Sequence, residues 1–152
     1  MLTFGVERLE VVLPEVEELW HLHWQETEGY RHGLGFNPNV KDFLYYDKTG
    51  LFRLFTARDE VHRLMGHLGF IVYKSRHTQT KTAGEDFWYV RKEARGQKVA
   101  SKLLGFALGN LRAEGVQQVT VSDKEPSDLG PLLKKFGFDQ VAKQYSLIFK
   151  EQ

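Results

Sequence analysis

The sequence contains no cysteine among its 152 residues, and this absence excludes several kinds of chemistry together. A chain without thiols forms no disulfide, no thiolate zinc site and no iron–sulfur cluster, and it has no cysteine nucleophile. Disulfides belong to oxidising compartments, so a chain without cysteine suits a reducing one. We therefore expect a cytoplasmic protein.

Long hydrophobic runs are also missing. The longest stretch without a charged side chain is the ten residues 64–73, whereas a membrane-spanning helix needs about 18. A secretory signal peptide begins with basic residues that lead into an apolar stretch, and residues 1–5 do not show this pattern. We therefore expect no membrane partner.

A strong charge of one sign is the third absence, because 21 basic residues face 20 acidic ones and leave a net charge of +1. A general nucleic-acid-binding domain is usually strongly basic, so nucleic acid is not an expected partner. The small total hides an uneven distribution. Residues 1–30 contain seven acidic residues and one basic residue, and residues 91–102 contain five basic residues and one acidic residue. Each segment is either ordinary solvated surface or a charged binding surface. As binding surfaces, residues 1–30 would attract a cation and residues 91–102 a polyanion.

What is present is the composition of a globular protein, with 41% hydrophobic and 27% charged residues. The length is that of one domain, and no repeat or flexible linker divides it, so residues 1–152 are expected to form a single domain. Helices are predicted at residues 14–28, 40–46, 97–114 and 127–136. Strands are predicted at residues 2–12, 51–57, 63–74, 86–90, 116–122, 138–141 and 143–150. This order predicts a mixed α/β fold, with a mixed sheet of six to seven strands flanked by about four helices.

The helix at 97–114 has the clearest signal, because apolar residues recur every four positions at Val99, Leu103, Ala107 and Leu111. A strand at 86–90 and a short turn containing Gly96 precede it. The amides at a helix N-terminus and the helix dipole favour an anion such as a phosphate, and basic side chains cluster at the same place. A plain strand-to-helix connection with a solvated basic rim is the alternative interpretation.

The hexapeptide Arg95-Gly96-Gln97-Lys98-Val99-Ala100 is similar to the phosphate-loop motif Arg/Gln-x-x-Gly-x-Gly/Ala of the GNAT superfamily of acyl-CoA-dependent N-acyltransferases. Leu132-Leu133-Lys134-Lys135-Phe136-Gly137-Phe138 likewise resembles that family's last helix-to-strand junction. Together with the order of elements, the resemblance covers essentially the whole chain. The compact layout also resembles GNAT proteins encoded by tailed phages, for which the cytoplasm would be that of the host.

The resemblance implies a binding site for acetyl-CoA as co-substrate. Its pyrophosphate would lie on the amides of Arg95, Gly96, Gln97, Lys98, Val99 and Ala100, with Ser101 close by. Its pantetheine arm would pair with the main chain of a splayed strand at Trp88, Tyr89 and Val90. Core packing is the competing interpretation for Trp88 and Val90, because one face of that strand must be core in any case.

Two residues depart from the family pattern. Lys98 replaces the middle glycine of the motif; its backbone would be strained at positive φ, and we expect a negative φ that keeps its amide available. Leu133 stands where the family commonly has a tyrosine that protonates the leaving thiolate. That role is therefore vacant, or it moves to Tyr145, Ser122 or water.

The resemblance also implies a general base early in the strand that precedes the loop. Glu85 lies closest to that position, and Asp86 is adjacent. Alternation places only one of the two towards the cleft, and a shift of one residue reverses the choice. We expect the base to be Glu85. The competing interpretation is that Glu85 ends a polar hairpin loop.

The implied function is transfer of an acetyl group from acetyl-CoA directly to a primary amine, on a protein lysine or N-terminus or on a small amine. A GNAT-fold binding or structural module without turnover is the alternative, which Lys98 and Leu133 favour. His21 and His23 are two residues apart and do not share a helix face, so no metal site is expected. The resemblance implies that the end of the acidic first helix and the loop after it line the acceptor side. For Trp20 and Trp24 individually, core or surface packing is the favoured interpretation. We expect a monomer or a homodimer.

Overall fold

The computed structural model describes residues 1–27, 33–124 and 128–149. In chain order the elements are β1 Thr3–Glu7, α1 Leu9–Thr27, α2 Val40–Lys48, β2 Phe52–Arg58, β3 Leu64–Lys74, β4 Lys81–Val90, a 3₁₀ helix Lys92–Gln97, α3 Val99–Ala113, β5 Gln118–Thr120 and α4 Gly130–Lys135. The mixed α/β architecture and the helix count agree with the sequence-based expectation. None of the described helices is long and apolar enough to cross a membrane.

The strands form one sheet in the order β1-β2-β3-β4-β5. The first four strands pair antiparallel, and β5 pairs parallel to β4. A parallel neighbour needs a long crossover, which α3 supplies. Pairing between β4 and β5 stops at Gly84 and Thr120, while β4 continues to Val90. The outer edge of β4 therefore has no described strand beside it over residues 85–90.

Each face of the sheet packs against its own helices. One core contains Phe55, Leu68 and Phe70 of the sheet, with Leu103 and Ala107 of α3. The α3 prediction is confirmed, since all four residues of its apolar repeat are buried. The opposite face carries a second core, formed by α1 and α2 against strand residues that include Leu54, Phe87 and Tyr89.

The beginning of the chain differs from expectation. Residues 2–12 were expected to be one strand and Pro14 the start of a helix, but β1 ends at Glu7 and α1 begins at Leu9. The buried residues of α1 include Leu9, Val12 and Val16, which follow the helical period rather than alternation. Pro14 therefore lies inside the helix, where burial of this face outweighs the loss of one backbone hydrogen bond.

β4 is longer than expected. Residues 75–84 were expected to be a turn, but the strand begins at Lys81, and the turn closes with the Ser75 amide donating to the Thr80 carbonyl at 2.9 Å. The first residues of β4 lack the apolar alternation that marks a strand. They are held by pairing on both sides, as Thr82 pairs with Tyr73 of β3 and with Gln118 of β5.

The six to seven expected strands are not confirmed, because the described residues form a sheet of five strands. Strand β5 spans Gln118–Thr120 rather than 116–122. The strands expected at 138–141 and 143–150 do not form in residues 138–149, where Tyr145, Leu147 and Phe149 are exposed by 78–89%. An alternating pattern defines a face, but a strand also needs a partner for its backbone. The last residue of the first predicted helix, Glu28, the first residue of the last predicted helix, Ser127, and the last residue of the last predicted strand, Lys150, lie outside the described residues.

Candidate active site

A β-bulge in β4 organises the candidate site. Phe70 of β3 pairs with Glu85 and Gly69 pairs with Phe87, so Asp86 is one extra residue in β4. Ala83 and Phe87 would share a face in a regular strand, yet they pack into different cores. The bulge therefore sends Glu85 and Phe87 to different sides of the sheet.

Gly69 permits the bulge. A Cβ at this position would lie 2.7 Å from Cζ of Phe87 and 2.8 Å from Cζ of Phe52. No side chain fits at these distances without displacing the rings. The phenyl group of Phe87 thus crosses directly over the backbone of β3.

Glu85 lies where β4 and β5 separate. Its Oε1 accepts a hydrogen bond of 3.2 Å from the backbone N–H of Ser122, just after β5. Burial raises the pKa of the Glu85 carboxyl to about 7, outweighing the opposing effects of this hydrogen bond and of Lys124, and the neighbouring charge of Asp86 adds to the rise. A carboxylate with this pKa can accept a proton near neutral pH. Glu85 is therefore a strand residue at the cleft, not the end of a hairpin loop.

Asp86 points to the other side of the sheet. It lies exposed at the rim of a cavity of about 210 Å³, which is bounded by α1, the α1–α2 connection, α2 and β4. The surrounding protein still desolvates its carboxyl group and raises the pKa, with Lys124 acting in the opposite direction. The structure thus gives the two adjacent carboxyl groups different surroundings.

The expected phosphate loop forms the 3₁₀ helix and the first turn of α3. Gly96, Gln97 and Lys98 are exposed, and no side chain caps the N-terminus of α3. The backbone N–H groups in the first turn of α3 have no carbonyl one turn earlier that could accept their hydrogen bonds. Val99 is buried in the core and offers only its amide, whereas Ala100 and Ser101 are partly exposed.

Lys98 contradicts one expectation. Its φ is 58° and its ψ is 28°, so it adopts the left-handed conformation instead of a negative φ. This is the conformation that a glycine adopts without strain. Lys98 ends the 3₁₀ helix and begins α3, and its carbonyl accepts the first helical hydrogen bond from Lys102 at 3.0 Å. The bend between the two helices therefore requires positive φ at this residue.

Arg95 is held by the acidic helix. Its Nη2 donates to Oε2 of Glu26 at 2.6 Å, and its Nε donates to the carbonyl of Val90 at 3.0 Å. The hydroxyl of Tyr89 donates to the other oxygen of Glu26 at 2.7 Å. Burial acts to raise the pKa of Glu26, but the hydrogen bonds from Tyr89 and Arg95 outweigh it and lower that pKa. Glu26 is therefore charged at neutral pH and forms an ion pair with the guanidinium of Arg95.

The three strand residues expected beside a pantetheine arm lie on both faces of β4. Trp88 and Val90 pack against the α3 core, and Tyr89 is buried against α1. The indole Nε1 of Trp88 is buried and has no hydrogen-bond partner among the described residues. Only the backbone of this segment is available at the outer edge of β4.

The structure places no proton donor at the position of the family's tyrosine. Leu133 is buried in the α3 core with 8% of its surface exposed. Tyr145 is 87% exposed, and Ser122 contacts Glu85 through its backbone N–H. No group of three metal-ligating side chains occurs in the described parts of the chain.

The pairing of Glu26 with Arg95 and the contacts of Arg91 were not predicted from the sequence. Glu26 belongs to the segment expected on the acidic acceptor side, and Arg91 to the basic stretch 91–102. The buried guanidinium of Arg91 donates to the carbonyl of Leu64 at 2.7 Å and pairs with Glu18 at 3.2 Å. The opposite net charges of the two segments were the available signal, but they do not identify the partners.

A second cavity lies at the far edge of the sheet, beside β1. It measures about 550 Å³ and is lined by Glu7, Glu15 and Arg58, among others. The guanidinium of Arg58 is paired with both carboxylates at 2.8–2.9 Å, so this cation is already held by two carboxylates of the protein. This cavity is remote from the bulge and the loop.

The comparisons with solved structures show the same fold. An aminoglycoside acetyltransferase from an uncultured soil metagenomic sample, solved with sisomicin, is 18% identical, with a TM-score of 0.74 and coverage of 97% of both chains. The ribosomal-protein-alanine N-acetyltransferase of Brucella melitensis biovar Abortus 2308 is 16% identical, with a TM-score of 0.73 and coverage of 99% of this chain and 100% of that chain. A predicted acetyltransferase from Clostridium acetobutylicum, solved with acetyl-CoA, is 13% identical, with a TM-score of 0.70 and coverage of 97% of this chain and 96% of that chain.

No curated protein matches the sequence. The sequence model described as "Acetyltransferase (GNAT) family" matches residues 16–138. This segment contains the bulge, the separation of β4 from β5, the loop and all of α3. The chain therefore belongs to the GNAT acetyltransferase family.

Proposed function

We propose that residues 1–152 form a single domain that transfers an acetyl group from acetyl-CoA directly to a primary amine. The observation that carries the proposal is the outer edge of β4 over residues 85–90, beside which no described strand lies and which leads directly into the exposed loop and the first turn of α3. An extended pantetheine arm would add main-chain hydrogen bonds along such an edge. The open amides after it would receive the pyrophosphate.

Glu85 is proposed as the general base. A lysine-type amine has a pKa of about 10.4, so only about 0.1% or less is neutral at pH 7. The amine nitrogen forms a bond to the thioester carbonyl carbon, and the carbon–sulfur bond breaks. Before the attack, one proton of the ammonium group passes to Glu85, directly or through a water molecule, and the second proton that the nitrogen loses as the amide forms passes to water. Coenzyme A leaves as a thiolate, which is tolerable without a protein acid because a thiol has a pKa of about 8.5.

Acetyl-CoA binding can be tested at Gly96, where the structure leaves room. A Cβ at Gly96 would meet nothing within 4 Å, and its φ is not positive. Gly96→Trp should therefore fold normally and block the pyrophosphate site. Gly109→Trp is the matched control, since Gly109 is also exposed with no neighbour within 4 Å but lies in the second half of α3.

Calorimetry with acetyl-CoA should show binding to the wild type and to Gly109→Trp, and at least about tenfold weaker binding to Gly96→Trp. Equal affinities of the two variants would contradict the placement of the pyrophosphate. Absence of binding by the intact wild type would overturn the proposed function.

A binding or structural module that has lost turnover is the second candidate function. Two observations favour it: Lys98 holds the strained backbone conformation, and Leu133 offers no proton. Release of coenzyme A thiol that depends on an added amine separates the two proposals. Binding of acetyl-CoA without any amine-dependent release would support the module.

We further propose that the protein acts in the cytoplasm as a monomer or homodimer. The proposal rests on the absence of cysteine and on the need for acetyl-CoA. Size-exclusion chromatography with light scattering distinguishes the two oligomeric states. The acceptor amine is the other partner.

A further inference from the structure

The cavity of about 210 Å³ beside Asp86 has aromatic walls. Trp20 contacts Phe43 at a ring-centroid distance of 4.7 Å and Phe87 at 5.5 Å. Across the cavity, Trp24 stacks on Phe36 at 5.1 Å. These rings come from α1, the α1–α2 connection, α2 and β4, so the fold assembles the walls from four separate segments.

The polar side chains that line this cavity are His23, Thr27, Asp86 and Lys124. Asp86 is the one carboxylate among its described lining residues, and Lys124 stands near it. Trp20 adds a hydrogen-bond donor, because the residue is 5% exposed and its Nε1 has no partner among the described residues. The described lining offers one carboxylate, so the additional ammonium groups of a polyamine would have no carboxylate to pair with there.

The volume limits the ligand further. An apolar cavity of about 150 Å³ accommodates benzene, and sites for drug-sized ligands begin at about 300 Å³. A cavity of about 210 Å³ therefore fits one ring with a short arm. An aminoglycoside, which the metagenomic enzyme binds in the form of sisomicin, has several rings and several ammonium groups and meets neither limit.

We infer that the acceptor is a small primary monoamine with one ring-sized apolar body, seated against Trp20, Phe43 and Phe87 with its amine at Asp86. The aromatic walls bury the ring, and edge-to-face contacts orient it. Asp86 pairs with the ammonium group before the proton is removed and so brings the nitrogen to the bulge. Glu85 lies on the other side of the sheet, so that proton reaches it through water at the outer edge of β4. The inference rests on the proposed function and adds the substrate class.

The test compares acceptors at a fixed acetyl-CoA concentration and follows release of coenzyme A thiol. The probes are 2-phenylethylamine, spermidine, an aminoglycoside and a lysine-containing peptide. 2-Phenylethylamine should have a kcat/KM at least about tenfold above each of the others, the size of effect that one hydrophobic contact gives. A higher kcat/KM for spermidine, the aminoglycoside or the peptide would overturn the inference while leaving the proposed function in place.

Two variants on α2 test the position of the ring. Phe43→Leu should raise KM for 2-phenylethylamine about tenfold and change kcat little, because Phe43 lines the cavity. Tyr45→Leu is the matched control, because Tyr45 lies on the same helix but is 61% exposed. Equal KM values for the two variants would place the acceptor elsewhere.

Asp86→Asn should raise KM for 2-phenylethylamine and weaken the dependence of that KM on salt.

A direct titration measures binding of the amine independently of turnover. With acetyl-CoA replaced by coenzyme A, 2-phenylethylamine should change the tryptophan fluorescence of the wild type and not that of Phe43→Leu at the same concentration. If acetyl-CoA binds and no amine is acetylated, the proposed function fails, and this titration still decides whether the cavity takes the monoamine.

Discussion

Replacing Glu85 by glutamine should change how the stability of the protein depends on pH. Burial raises the pKa of Glu85 from 4.5 to about 7, so the folded protein holds this proton more tightly than the unfolded chain. The resulting stabilisation is fully present below pH 4.5 and is lost as the pH rises through 7. At about 1.4 kcal/mol per pH unit, the loss amounts to about 3 kcal/mol. Glutamine carries no ionisable proton, so Glu85→Gln should not show this loss.

Urea unfolding of both proteins at pH 4.5 and pH 8 measures the effect. The stability of Glu85→Gln relative to the wild type should increase by about 3 kcal/mol between the two pH values. Taking this difference removes the contributions of all other groups that the proteins share.

Glu114→Gln is a control of opposite sign. Burial acts to raise the pKa of Glu114, but hydrogen bonds from Arg53 and Lys81 outweigh it and lower that pKa. The wild type therefore gains stability from this group as the pH rises, and Glu114→Gln should lose stability relative to it. Parallel pH curves for the wild type and Glu85→Gln would refute the burial of an ionisable carboxyl at the cleft.

Three further substitutions test other parts of the structure. Gly69→Ala should lower the free energy of unfolding by about 1–3 kcal/mol, because its Cβ would lie 2.7 Å from the ring of Phe87. Gly109→Ala is the control and should raise the free energy of unfolding by up to about 1 kcal/mol. A smaller cost at Gly69 than at Gly109 would contradict the close approach of Phe87 to β3. Lys98→Gly should unfold at a urea concentration no lower than that of the wild type. Lys98→Val should lower the free energy of unfolding by about 1 kcal/mol or more, because a β-branched side chain is strained in the left-handed conformation. If Lys98→Val were the more stable of the two variants, φ at this residue would be negative. Glu26→Gln should lower the Kd for acetyl-CoA several-fold in calorimetry, because it removes the carboxylate that is paired with Arg95. A higher Kd would show that the ion pair holds the loop in shape and does not compete with the phosphates for Arg95.

Local patterns in the sequence were sufficient for the central elements. The four-residue apolar repeat of α3 depends only on neighbours along the helix, and Val99, Leu103, Ala107 and Leu111 are all buried. The strand-to-helix turn that contains Gly96 was also visible, because it needs one glycine and two flanking elements. The sequence therefore located the loop and the helix that follows it.

The bulge at Asp86 could not be predicted. Whether β4 inserts an extra residue depends on its pairing with β3 and on the room that Gly69 leaves for Phe87. Both are long-range contacts. Alternation alone left Glu85 and Asp86 interchangeable, whereas the bulge gives each of them its own environment.

The pair between Glu26 and Arg95 had no local signal either, since the two residues are 69 positions apart. The sequence showed an acidic and a basic segment but not that they meet. For residues 138–149 the error was the opposite one, because a pattern was present and the predicted structure was not. Alternating residues such as Tyr145, Leu147 and Phe149 predicted a strand, and the described residues give them no paired strand.

The pH dependence of acetyl transfer tests the central claim most directly. The measurement is kcat for release of coenzyme A with a primary amine, between pH 5.5 and 9, for the wild type and for Glu85→Gln. The wild-type kcat should rise with pH and level off above about 7, where Glu85 is ionised. Glu85→Gln should be slower by about 100-fold or more and should lack this rise. A variant that keeps both the wild-type rate and the wild-type profile would contradict the assignment of Glu85 as the general base.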